Sequence, residues 1–172
     1  MNLKKSYTEK YGYERVITDR NSPLAYAEAD MLKLRAGTSI KIDEKGKEFA
    51  LVVLYGSITV TGSDFRFENV GKRKTVFDGA GEAVYVGKDE EFTVTAVGGD
   101  AKVCVAKAPA TKKIKAQAMR TEDIKIKELG KGAYTRTAAF NVAENAEANL
   151  LYIGEFWVED GKWASFPPHK HD

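Results

Sequence analysis

The stretch Phe49-Ala-Leu-Val-Val-Leu-Tyr-Gly-Ser-Ile-Thr-Val-Thr61 carries the strongest structural signal in the 172-residue sequence. Its first part, up to Tyr55, is a continuous apolar run, which predicts a strand buried on both faces. Gly56 interrupts the run and strand-like sequence resumes at once, as it does at a hairpin or a bulge inside a sheet. The stretch therefore predicts a β-sheet with a central strand that is covered from both sides.

Short segments of strand-like sequence surround this stretch, and turns rich in Gly and Asp separate them. They recur about every ten residues, a spacing typical of an antiparallel sandwich or barrel. No long stretch of the sequence repeats its apolar residues with the helical period. We therefore expect an all-β chain in which residues 29–108 form a jelly-roll-like antiparallel barrel. The predicted strands are residues 31–34, 39–42, 49–55, 57–61, 65–67, 74–77, 83–86, 92–97 and 101–107.

Three further segments flank the predicted barrel. Residues 1–28 are of mixed composition and are expected to form an N-terminal arm, and residues 109–132 a polar linker. Strand-like sequence resumes in residues 133–172, which predict the opening strands of a second, incomplete sheet. An incomplete sheet leaves unpaired edges. Either the first barrel pairs with these strands, or a second copy of the chain covers them and makes a homodimer.

The charge balance excludes one class of partner. The 27 Lys and Arg residues nearly match the 25 Asp and Glu residues, which leaves a formal net charge of +2. A nucleic-acid-binding protein needs a clustered excess of basic residues. The basic residues between positions 112 and 131 are interrupted by Glu122, Asp123 and Glu128, which favours a solvated linker. We expect no nucleic-acid partner, and no membrane partner because no apolar run approaches the length of a span.

Cys104 is the single cysteine and lies in the apolar run Lys102-Val-Cys-Val-Ala106. It cannot form an internal disulfide, and a nucleophilic cysteine needs a nearby base. Both histidines lie far along the chain, so a buried structural thiol is the favoured interpretation. One cysteine and no signal peptide predict a cytoplasmic protein.

Both histidines, His169 and His171, directly follow Pro167-Pro168. In an extended segment, side chains two residues apart lie on one face at a separation of about 7 Å. Two such imidazoles can bind one metal ion, because neutral imidazole suits divalent Zn and Fe. The alternative is a frayed polar terminus with solvated histidines.

The end of the sequence resembles a family signature. Gly161-Lys-Trp-Ala-Ser-Phe-Pro-Pro-His-Lys-His-Asp172 is similar to the glycine-x-tryptophan-serine-serine-tyrosine-proline-proline-histidine-lysine-histidine-aspartate motif of 5-deoxy-glucuronate isomerases. The departures are Ala164 for serine and Phe166 for tyrosine. These bicupins act in myo-inositol catabolism and are related to 4-deoxy-L-threo-5-hexosulose-uronate ketol-isomerases.

Four upstream segments resemble the same family in the same order. They are Gly71-Lys-Arg-Lys-Thr-Val-Phe77, Ala83-Val-Tyr-Val86, residues 130–136 and residues 150–156. Gly87 replaces the proline that the family carries after the second segment. The resemblance therefore covers most of the chain, and Arg73 and Tyr85, which lie at family-like positions, are expected to serve barrel packing.

The resemblance implies the N-terminal half of a bicupin: an all-β fold of two cupin-type barrels, of which the second carries a divalent metal. In the family, histidine-x-histidine, a following glutamate and a third histidine bind this metal. His169 and His171 match the first two ligands, and the other two have no counterpart before Asp172. The expected metal is Zn, Mn or Fe, and the alternative is a truncated chain that lacks the metal.

The resemblance also implies a reaction, the aldose–ketose isomerisation of 5-deoxy-glucuronate to 5-dehydro-2-deoxy-gluconate. A proton moves between adjacent carbons through an enediol, so the site needs a general base, which the sequence does not identify. The metal would act as a Lewis acid. The expected partner is a small sugar acid, and we expect this chain alone to be inactive. The alternative function is a non-catalytic cupin-type binding or assembly module.

Arg136 is the candidate substrate-binding residue. An arginine can bind a uronate carboxylate through two parallel hydrogen bonds, and the resemblance covers this position. The alternative is a solvated surface arginine between Thr135 and Thr137.

Overall fold

The computed structural model describes residues 5–165, and within them thirteen strands and two short 3-10 turns. The turns are Thr121–Asp123 and Gly132–Tyr134. Within the described residues, no helix is long and apolar enough to cross a membrane. The strands are β1 (Gly12–Ile17), β2 (Glu28–Leu34), β3 (Ser39–Ile42), β4 (Lys47–Tyr55), β5 (Ile58–Thr61), β6 (Arg66–Val70), β7 (Ala83–Val86), β8 (Phe92–Ala96), β9 (Ala101–Pro109), β10 (Gln117–Met119), β11 (Lys125–Leu129), β12 (Arg136–Val142) and β13 (Ile153–Trp157).

Two antiparallel sheets enclose the main core. The larger sheet has the order β1-β2-β9-β4-β7-β10, and the smaller has the order β3-β8-β5-β6. Apolar side chains from both sheets interdigitate between them, and the rings of Phe49 and Phe92 meet edge to face with centroids 5.1 Å apart. The predicted fold class, an all-β chain with a cupin-type antiparallel barrel, is confirmed.

Strand β4 has the double burial that its apolar run predicts. Leu51 and Val53 lie in the core between the two sheets, whereas Ala50 and Val52 belong to a second core on the other side of the strand. Gly56 ends the strand with a φ of +82°, and a Cβ there would lie 2.3 Å from the carbonyl oxygen of Asp100. Only glycine fits this close approach without a shift of the backbone.

A separate three-stranded sheet, β11-β12-β13, covers the other side of β4. We call it the second sheet because its strands follow those of the barrel. Ala139, Val142 and Leu151 pack against Ala50 and Tyr85 in the second core. Within the described residues, the strands after residue 133 pair with β11 and with one another and not with the barrel strands, and the homodimer stays a prediction. They pack face to face on the large sheet, as in a sheet sandwich.

Several segment boundaries differ from those expected. The arm contains β1, which pairs with β2. The linker contains β10, which joins the larger barrel sheet, and β11, which joins the second sheet. Residues 74–77 form a turn instead of a strand, because the Asp78 carboxylate accepts hydrogen bonds from the backbone N–H groups of Lys74 and Thr75. The sequence does not reveal such a turn, since Thr75, Val76 and Phe77 are residue types that also suit a strand. The division into domains stays a prediction.

Candidate functional site

The proposed metal ligands, His169 and His171, lie outside the described residues 5–165. Within those residues, no group of three His, Cys, Asp or Glu side chains converges on a point that could hold a metal ion. Cys104 is largely buried, and burial, with the negative charges of Glu155 and Asp30, raises the pKa of its thiol. A raised pKa disfavours the nucleophilic thiolate, which fits the structural role expected for this cysteine.

Arg136 begins β12 on the face of the second sheet that is turned away from the barrel. Its Nη1 donates to the carbonyl oxygen of Tyr134 at 3.2 Å, and its guanidinium carbon lies 5.8 Å from the ring centroid of Phe156. Its Nε is buried and has no hydrogen-bond partner. A buried donor without a partner costs stability, so a ligand acceptor at this position would be favoured.

An open cavity adjoins Arg136 at the end of the second sheet. The cavity measures about 410 Å³ and is lined by Phe77, Glu128, Thr135, Thr137, Phe156, Trp157, Val158 and Glu159. Aromatic rings and a guanidinium at one concave surface suit a ligand with both a ring and a carboxylate. The cavity thus combines a guanidinium and aromatic rings with the carboxylates of Glu128 and Glu159.

The turn between β11 and β12 fixes the position of Arg136. Gly130 has a φ of +84°, and a Cβ there would lie 2.1 Å from the carbonyl oxygen of Tyr134. The chain then forms the 3-10 turn Gly132–Tyr134, and Arg136 pairs with Leu129 across the strands. The glycines of residues 130–136 thus allow the tight turn that places the arginine at the cavity.

A buried ion pair joins the second sheet to the barrel. Arg73 Nη2 lies 2.5 Å from Glu155 Oε1, and the other guanidinium nitrogens donate to the carbonyl oxygens of Val53 and Gly79. Glu155 Oε2 accepts from Gly81 N at 2.8 Å and from Asn141 Nδ2 at 3.0 Å. Arg73 therefore serves more than barrel packing, because it anchors β13.

A second buried carboxylate anchors the segment that leads into β13. The fully buried Glu48 accepts hydrogen bonds from the backbone N–H groups of Asn149, Leu150 and Leu151 at 2.6–2.9 Å. It also accepts from the Tyr85 hydroxyl at 2.7 Å. Burial and this hydrogen bond raise the pKa of Tyr85, so the phenol stays a neutral donor. In the sequence, Glu48 is a charged residue directly before an apolar run, and this position could have indicated a buried carboxylate with hydrogen-bond partners.

Glu82 makes a third link, between the barrel and the turn Thr121–Asp123. It accepts from Gly71 N and Thr121 Oγ1, both at 2.9 Å, and from Arg120 Nη1 at 3.3 Å. Burial acts to raise the pKa of Glu82, but the hydrogen bonds from Gly71 and Thr121 outweigh it and hold the pKa below its usual value. The carboxylates of Glu155, Glu48 and Glu82 therefore fix the second sheet, and the segments that lead into it, relative to the barrel.

A charged cluster lies inside the first barrel and is filled by its own cation. The ammonium of Lys107, which is fully buried, lies 2.6 Å from Asp30, 3.2 Å from Glu44 and 3.5 Å from Glu28. The Tyr13 hydroxyl donates to Asp30 at 2.6 Å. Because all three carboxylates form ion pairs with Lys107, this cluster is a structural ion-pair network.

Comparison with known proteins places these features in a family context. Residues 2–172 match the model of the KduI/IolB family. The chain is 36% identical over 159 residues to the 5-deoxy-glucuronate isomerase of Bacillus subtilis, an alignment that covers 91% of this chain and 58% of that protein. The corresponding protein of Halalkalibacterium halodurans is 33% identical, with the same shares covered. The chain thus spans less than two thirds of the length of the curated relatives it matches.

Two solved structures resemble the fold. An IolB-like protein from Salmonella typhimurium superposes with a TM-score of 0.86 and 25% identity, over 93% of this chain and 61% of that chain. A putative glyoxylate induced protein from Pseudomonas aeruginosa superposes with a TM-score of 0.55 and 10% identity, over 83% of this chain and 54% of that one. The second likeness concerns the fold alone.

Proposed function

The chain belongs to the KduI/IolB family, and we propose that it supplies the first barrel and part of the catalytic barrel of a sugar-acid isomerase. The proposed reaction is the conversion of 5-deoxy-glucuronate to 5-dehydro-2-deoxy-gluconate in inositol catabolism. Relatives that carry the name 5-deoxy-glucuronate isomerase support this assignment over 91% of the chain. We further propose that the chain alone is inactive, because it spans only part of those relatives.

The observation that carries this proposal is the unsatisfied hydrogen-bond donor of Arg136. Its buried Nε has no partner, and its guanidinium lies beside an aromatic ring at an open cavity. A carboxylate that accepts from Nε and a terminal nitrogen would satisfy this donor through a bidentate pair. The carboxylate of a uronate is such a group, whereas a neutral sugar offers none.

The proposed role of Arg136 is orientation of the substrate. The isomerisation moves a proton from one carbon to the adjacent carbonyl carbon, while a hydroxyl proton moves to the former carbonyl oxygen. The carboxylate takes no part in these transfers. Its fixation by Arg136 instead holds the reacting carbons in one place relative to a base, which lowers the entropic part of the barrier.

We retain His169 and His171 as proposed ligands of a divalent Zn, Mn or Fe ion, because imidazole nitrogens suit these metals. A catalytic zinc site usually has three protein ligands, and the described residues contribute no converging set. The ligand assignment therefore stays a proposal, and we assign no reaction step to the metal. Stoichiometric metal binding that is lost in His169→Ala would support this ligand assignment.

The function is tested with a linked protein, in which residues 1–172 are followed by the part of the Bacillus subtilis relative beyond the matched region. We expect this protein to isomerise 5-deoxy-glucuronate. Arg136→Gln should raise KM about 10- to 100-fold, because hydrogen bonds to charged groups contribute about 1.5–3 kcal/mol. The exposed Arg66 of β6, paired with Glu68 at the surface, gives the matched control Arg66→Gln, which should leave KM unchanged. A folded linked protein without turnover would instead support a non-catalytic cupin-type binding or assembly module.

A further inference from the structure

The closest strand neighbours of Arg136, on its face of the second sheet, are apolar. Arg136 and Ala138 lie two residues apart in β12, so their side chains share a face. Phe156 of β13 is directly opposed to Ala138 and lies on the same face. Leu129 of β11 is directly opposed to Arg136. The guanidinium therefore has an aromatic ring, a methyl group and a leucine as its strand neighbours.

Three polar side chains lie nearby in the sheet but are directed elsewhere. Glu128 and Thr137 are directly opposed across β11 and β12. Because Thr137 follows Arg136 in the strand, both of these side chains belong to the opposite face. Lys127 shares the face of Arg136, but its ammonium lies 5.3 Å from the ring centroid of Phe140, which is further along β12. The aromatic ring beside the guanidinium thus forms an apolar environment.

Phe156 is accessible to a ligand that binds Arg136. It is 52% exposed and borders the same open cavity. Its ring centroid lies 5.8 Å from the guanidinium carbon. When a carboxylate pairs with the guanidinium, the carbon attached to that carboxylate extends one bond further into the cavity. In a uronate this carbon is C5, and Phe156 is the aromatic neighbour that can contact it.

The chemistry at C5 distinguishes two substrates. C5 of 5-deoxy-glucuronate, for which the curated relatives are named, is a methylene. C5 of 4-deoxy-L-threo-5-hexosulose-uronate, the substrate of the related ketol-isomerases, is a ketone carbon. Burial of one methylene contributes about fourfold in affinity. A ketone oxygen at the same place loses hydrogen bonds to water and gains none from an aromatic ring.

We propose that Phe156 is a specificity-determining residue, which contacts C5 and selects a uronate whose carbon next to the carboxylate carries no oxygen. Arg136 provides affinity for any carboxylate, and Phe156 discriminates among carboxylates by the neighbouring carbon. Apolar pockets reject an added hydroxyl group about 100-fold, and the partial exposure of Phe156 lowers this limit, so we expect a selectivity of about 10- to 100-fold. The proposal rests on the carboxylate-binding role of Arg136 in the proposed function.

The kinetics of the linked protein test the proposal with both substrates. The measured quantity is the ratio of kcat/KM for 5-deoxy-glucuronate to kcat/KM for 4-deoxy-L-threo-5-hexosulose-uronate. Phe156→Gln places an amide donor beside C5 and should lower this ratio about tenfold. Phe156→Leu keeps the environment apolar and is the matched control, in which the ratio should stay within about twofold. An equal ratio in all three proteins would overturn the proposal.

A binding measurement on residues 1–172 needs no turnover. The probes are butanoate, 2-hydroxybutanoate and 2-oxobutanoate, which differ only at the carbon next to the carboxylate. The readout is the NMR signal of the Arg136 Nε–H group, assigned by its loss in Arg136→Gln. Butanoate should bind about three- to tenfold more tightly than the other two, because the open surface gives less discrimination than a closed pocket. Phe156→Gln should remove this difference, and Phe156→Leu should keep it.

The outcomes separate this proposal from the proposed function. Equal binding of the three probes would overturn the role of Phe156 and leave the role of Arg136 intact. A signal that no carboxylate shifts would overturn both. Selective binding of butanoate, combined with a folded linked protein that turns over neither substrate, would support the role of Phe156 and overturn the proposed function.

Discussion

Arg73 Nη2 and Glu155 Oε1 lie 2.5 Å apart, and this buried ion pair ties strand β13 of the second sheet to the barrel. The two residues are far apart in the sequence, and the Arg73 side chain is only 3% exposed. The position of the second sheet thus depends in part on a charge pair that bridges the two cores.

Glu155→Gln should destabilise the protein strongly, because it leaves the Arg73 guanidinium buried without its counter-charge. Removal of one partner of a buried pair costs about 3–5 kcal/mol. The surface pair of Arg66 and Glu68 is the control, and Glu68→Gln should cost about 0–1 kcal/mol. Urea unfolding measures both. Equal losses in the two variants would show that the buried pair does not anchor β13.

Glu48→Gln should loosen the segment before β13. Glu48 accepts from three consecutive backbone N–H groups and from Tyr85, and one glutamine oxygen cannot replace two carboxylate oxygens. We expect a loss of about 2 kcal/mol and faster amide exchange at Leu150 and Leu151. The exposed Glu91, paired with Lys41, provides the control Glu91→Gln. Unchanged exchange at these amides would contradict the anchoring role.

Gly56→Ala should be more costly than an alanine at another glycine with positive φ. Its Cβ would meet the Asp100 carbonyl oxygen at 2.3 Å, whereas a Cβ at Gly98, where φ is +71°, meets nothing within 4 Å. We expect about 1–2 kcal/mol at Gly98 from the backbone conformation alone, and a larger loss at Gly56. Similar unfolding midpoints for the two variants would show that the backbone at Gly56 can shift.

The stability of the fold should decrease at acidic pH through Glu82. Its pKa lies below the ordinary value of 4.5 in the folded protein, so the unfolded chain binds the proton more readily. The stabilisation is complete above pH 4.5 and is lost as the pH falls through the lowered pKa. Glu82→Gln should therefore be less stable than the original protein at pH 7, and this difference should shrink progressively as the pH falls below 4.5. A difference that is independent of pH would exclude this linkage.

The sequence predicts the barrel well because its strands are local features. The apolar run of β4, the break at Gly56 and the alternation of residues 92–96 are each visible within a few residues, and they specify strands and turns. Residues 74–77 mislead because the hydrogen bonds of the Asp78 carboxylate, and not the strand propensity of these residue types, decide the local backbone.

The anchors of the second sheet are not visible in the sequence because their partners are distant. Glu48 binds amides about one hundred residues further along the chain, and Arg73 binds Glu155 across two cores. Only a three-dimensional arrangement brings these groups together. Arg136 could be selected from the family-like segment, whereas its unpartnered Nε and its aromatic neighbour required the structure.

The turnover of 5-deoxy-glucuronate by residues 1–172, compared with turnover by the linked protein at the same concentration and with Zn, Mn or Fe supplied, tests the central claim most directly. We predict isomerisation by the linked protein and none by residues 1–172. Turnover by residues 1–172 alone, retained after purification to a single species and lost in Arg136→Gln, would contradict the claim that the catalytic barrel needs the unmatched polypeptide.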